Sequence, residues 1–64
     1  MAVYIMKVTK LVRDNDVLWF RNPADAEELA DTMLSGGSEL VMLFTEYIEC
    51  PMIDGVVFVP EYVD

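Results

Sequence analysis

Between Asn22 and Gly37 lies a stretch whose apolar residues recur at helical spacing, in a chain otherwise patterned for strands, and no other feature constrains the fold as strongly. Ala26, Leu29, Ala30 and Met33 share one side with Leu34 beside them, while Asp25, Glu28, Asp31 and Thr32 fall largely on the other. Asn22 is a good N-cap, and Pro23 suits the first helical position, where no amide partner is required. Asp25, Glu27 and Glu28 set negative charge on the positive end of the helix dipole, and Ser35-Gly36-Gly37 supplies the stop. A single short helix can cover only one face of a small sheet, so the other face needs a partner.

The flanking segments read as strands. Val3 to Arg13 is rich in Val, Ile, Leu and Tyr, and Asp14-Asn15-Asp16 is a turn cluster before the apolar run Val17-Leu18-Trp19-Phe20, which predicts a hairpin. From Glu39 to Cys50 the chain is apolar on both parities at first, with Leu40, Met42 and Phe44 opposed to Val41 and Leu43. That pattern predicts a long strand buried on both faces at its beginning. Pro51 marks an edge or a bend, since it cannot donate a ladder hydrogen bond. Asp54-Gly55 between Met52-Ile53 and Val56-Val57-Phe58-Val59 predicts a second hairpin, with Pro60 to Asp64 extending the last strand or fraying. The expected fold is a single α+β domain over residues 1–64: a small antiparallel sheet with one helix on one face, in the order β-β-α-β-β.

Composition narrows the function. The 64 residues are 55% hydrophobic, yet a domain of this size buries only roughly 60% of its unfolded surface, which leaves apolar side chains to meet another protein. Twelve acids against four bases give a net charge of −8, which argues against direct binding to nucleic acid or to anionic membranes. No apolar run approaches the ~18 residues of a membrane span, and Met1-Ala2-Val3-Tyr4 lacks the basic start of a secretory peptide, so a cytoplasmic protein is expected.

Chemistry-bearing patterns are weak. With one cysteine and no histidine, neither an internal disulfide nor an ordinary zinc site is expected, and no side chain has an unperturbed pKa near neutrality. Asp14-Asn15-Asp16 resembles the opening of a calcium loop, but loop positions six and twelve hold Trp19 and Asp25 where glycine and a bidentate acid belong. Gly36-Gly37 follows a helix instead of opening one, and Cys50 reads as a structural thiol. No cofactor, no metal and no catalytic residue are assigned, and an enzyme is not expected.

Charge is distributed unevenly. Lys7, Lys10, Arg13 and Arg21 all fall in the first 21 residues with two acids, for +2, whereas residues 22–64 hold ten acids and no base, for −10. One reading is that the acids keep an apolar protein soluble. The other aims the helix acids Asp25, Glu28 and Asp31 at a basic protein surface, with Trp19 or Phe20 as an interface anchor on the uncovered sheet face. Acids three or four apart on a helix are about 5–6 Å from one another, not far from backbone phosphate spacing.

In size, acidity and lack of catalytic motifs the chain resembles the small proteins that bacteriophages direct against host nucleases, CRISPR effectors or RNA polymerase. The stretch from Tyr4 through Phe20, Asn22 to Ala30 and Leu40 to Cys50 is similar, as a pattern over about two thirds of the chain, to the strand, strand, helix, strand order of the T7-type phage inhibitors of bacterial RNA polymerase. No specific motif accompanies the pattern, and no functional residue is carried over. The resemblance implies an inhibitor or regulator that occupies a nucleic-acid-binding surface of a host protein. The alternative is a structural or assembly module, an obligate homodimer pairing through its open sheet faces.

Overall fold

A computed structural model describes residues 2–37 and 40–64. Its elements are β1 (Val3–Arg13), β2 (Asp16–Phe20), α1 (Pro23–Ser35), β3 (Val41–Ile53) and β4 (Val56–Val57), the β-β-α-β-β order expected. The four strands form an antiparallel sheet in the order β2-β1-β3-β4. The predicted strand start at Glu39 lies outside the described residues.

Local chemistry explains the turns. Asp14 takes a φ of 49°, and the β1–β2 hairpin closes at Arg13 opposite Asp16. At the second hairpin Asp54 and Gly55 both have positive φ, 53° and 79°, as a two-residue turn matched to the strand twist requires. Asn22 caps α1 by accepting from the Ala24 N–H at 3.0 Å. At the other end the Gly36 N–H donates to the Thr32 and Met33 carbonyls.

The β1–β3 pairing runs from Val3 opposite Pro51 to Arg13 opposite Val41, so residues of like parity share a face. With the β1–β2 register, Thr9, Leu11, Arg13, Leu18, Phe20, Val41, Leu43 and Thr45 share the face on which α1 packs. Its core is Leu11, Phe20, Ala26 and Ala30, with Leu29, Met33 and Val41 packed against it. Leu34 is exposed.

Two expectations about the second half are corrected. The opening of β3 is not buried on both faces: Met42, Leu43 and Phe44 are exposed, because β4 pairs only with Met52 and Ile53 and leaves the rest of β3 at the sheet margin. The C-terminal segment neither extends β4 nor frays. After the Phe58 N–H donates to Pro51 at 2.9 Å, the chain passes to the far side of the sheet and docks beside β2. There Val63 pairs in parallel with Trp19, the Asp64 N–H donates to the Trp19 carbonyl at 2.8 Å, and the Arg21 N–H donates to the main-chain oxygen of Asp64. Val8, Cys50 and Val63 are buried, and Val8 and Cys50 belong to the face opposite α1. The face one helix cannot cover is therefore partly roofed by the protein's own tail.

Candidate protein-binding surface

The acids of α1 lie where the helical spacing puts them. Ala26 and Ala30 turn into the core, and Asp25, Glu28 and Asp31 are exposed, as is Glu27. Thr32 donates to the Glu28 carbonyl at 3.0 Å and so spends its hydroxyl within the helix. No cation pairs with these four carboxylates among the described residues.

Two of the four bases are engaged elsewhere. The Lys10 ammonium is 3.4 Å from Glu46 Oε1 and stands over two rings, 5.3 Å from the Phe44 centroid and 5.7 Å from that of Trp19. These residues share the face opposite α1. Arg13 reaches Asp16 at 3.4 Å across the first hairpin. Such partly exposed pairs contribute little to stability, but they neutralise positive charge at the sheet and leave the helix anionic.

The five residues proposed from the sequence do not form one site. Phe20 is a core residue, because its register opposite Thr9 points it under α1, so it is withdrawn as a partner contact. Trp19 points the opposite way and is half-buried, with Tyr62 packed edge-on against it at 5.8 Å and 66°. The acidic helix and Trp19 thus lie on opposite faces of the sheet. Tyr62 is the residue that sequence reasoning missed, since nothing local in Pro60 to Asp64 tells where the tail docks.

A cleft of about 150 Å³ lies between the start of α1 and the strands, lined by Thr9, Pro23, Glu27, Leu43, Phe44 and Thr45. It is small beside the ~300–1,000 Å³ typical of ligand pockets. Among the described residues no three acids or thiols gather as a metal site, and no helix is long and apolar enough to cross a membrane. Cys50 is a free, buried thiol.

No protein-family model, curated protein or solved structure matches this chain.

Proposed function

We propose that the chain is a small acidic protein-binding inhibitor or regulator, phage-encoded and cytoplasmic, that occupies a basic, nucleic-acid-binding surface of a host protein such as a nuclease, a CRISPR effector or an RNA polymerase. The observation that carries this reading is the exposed row Asp25, Glu28 and Asp31 on one side of a capped helix, without a cationic partner among the described residues. A rigid anionic face competes for a basic channel through the same electrostatics that draw phosphates there. The small cleft favours binding over catalysis.

The test is capture of a partner from bacterial lysate on the immobilised protein, identification by mass spectrometry, and measurement of its affinity for the parent and for the combined variant Asp25→Lys, Glu28→Lys, Asp31→Lys. The variant should stay folded, because all three side chains are exposed, with a modest loss of stability where Lys replaces acid near the helix N-terminus, and should bind at least about tenfold more weakly at low salt. The difference should shrink as salt shortens the Debye length below about 8 Å. A folded triple variant that holds the partner as tightly as the parent at low and high salt would reduce the helix acids to a solubilising role.

A further inference from the structure

Among the described residues nothing pairs with the outer margin of β3 over most of its length, and its main chain states what fits there. In an antiparallel strand the N–H and C=O of one residue point to the same side, and successive residues alternate. The Met52 N–H donates toward β1, to Ala2, whereas the Pro51 carbonyl accepts from Phe58 on the other side. Odd-numbered residues of β3 therefore direct their donors and acceptors away from β1. Pro51 is tolerated in the strand because its missing N–H belongs to that outer side.

Val41, Leu43, Thr45, Tyr47 and Glu49 thus carry outward main-chain groups, and no described residue bonds them. The side chains at the opening of β3 are apolar on both faces, with Leu43 at 39% exposure on the helix face and Met42 at 39% and Phe44 at 42% on the other, whereas the carboxylates Glu46 and Glu49 stand farther along. An unpaired edge with an apolar segment of this kind is a template for another strand. The free margin of β1 before its pairing with β2 is shorter: Val3, Tyr4 and Ile5 are exposed there, and Lys7 separates them from Thr9, where β2 begins to pair.

We propose that the occupant is a second copy of this chain, paired antiparallel β3 to β3 about a two-fold axis at Leu43. In that register Leu43 faces its equivalent, Met42 faces Phe44 of the second copy, and Val41 faces Thr45. Every contact from Val41 to Thr45 is uncharged, in a chain whose net charge of −8 opposes self-association elsewhere. An axis perpendicular to the sheet leaves both copies of α1 on one face, doubling the acidic surface proposed to bind a partner. The dimer itself does not depend on that reading.

Light scattering coupled to size-exclusion chromatography at high micromolar concentration should give twice the 7.3 kDa chain mass. Raising salt from about 0.05 to about 0.5 M should tighten the dimer by screening like charge, the reverse of its effect on a basic partner. Glu27→Gln, beside Leu43 and Thr45 at the cleft, should tighten it as well. Leu43→Lys should give a monomer, and Val56→Lys, exposed at the remote end of the sheet, should remain dimeric. Should Leu43→Lys fail to fold, hydrogen exchange on the unaltered protein decides: the Val41, Leu43 and Thr45 amides should be protected at high concentration and exchange on dilution. A monomeric parent at high concentration, a folded dimeric Leu43→Lys, a Val56→Lys monomer, or amides unprotected at every concentration would each overturn the proposal.

Discussion

β1 and β3 lie side by side in one register and are both rich in aliphatic and aromatic residues, yet their burial differs sharply. Val8 and Leu11 of β1 are sealed from solvent, whereas in β3 Cys50 alone is, and Leu43, directly opposite Leu11, stands open. β1 has β3 on one side, β2 along part of the other, and α1 on one face. β3 has β4 beside only Met52 and Ile53. Hydropathy made both strands; position in the sheet decided which of them became core.

Three measurements can break or sharpen that contrast. The largest effect is expected from Leu11→Ala, which should cost about 2–5 kcal/mol by leaving a cavity under α1. Leu43→Ala, on the neighbouring rung, should cost less than about 1 kcal/mol in dilute solution. Urea titrations giving equal losses for the two would dissolve the distinction. Deleting Tyr62 to Asp64 comes next: it removes the buried Val63, for about 2 kcal/mol, and frees the Trp19 ring from Tyr62. Its signature is a red shift of tryptophan emission with a lower melting temperature, and an unchanged spectrum would mean that the tail does not roof that face. The smallest effect belongs to Asn22→Ala, at about 1 kcal/mol for the lost bond to the Ala24 N–H. Thermal melts should register it, and an unaltered melting temperature would show that this side chain does not cap the helix.

Legibility in the sequence followed the range of the forces involved. Asn22, Pro23 and Gly36 act on main-chain groups within a few positions, and Asp54-Gly55 bends its own backbone, so the helix limits and second hairpin could be read directly. So could the opposed directions of Trp19 and Phe20, a matter of strand parity, although not which of them would be core. The exposure of Met42 to Phe44 could not be read, because an apolar run is the same string of letters at the centre of a sheet or at its margin. Nor could the berth of Val63 beside Trp19, which depends on strand order and not on any signal within the tail. For the candidate surface, the spacing of Asp25, Glu28 and Asp31 was legible, whereas the capture of Lys10 by Glu46 and two aromatic rings depends on cross-strand neighbours.

The β1–β3 register bears on how the molecule assembles in time. Its rungs run from Arg13 opposite Val41 to Val3 opposite Pro51, so each must wait for the chain to fold back across β2 and α1. The first hairpin and the helix require only nearby contacts and form early. The Arg13–Val41 rung closes the shortest loop in the ladder, so zipping starts beneath the helix and runs outward toward Val3. Until it finishes, the aliphatic stretch of β3 stands open along both margins, and the ten acids after Arg21 keep neighbouring chains apart during that interval.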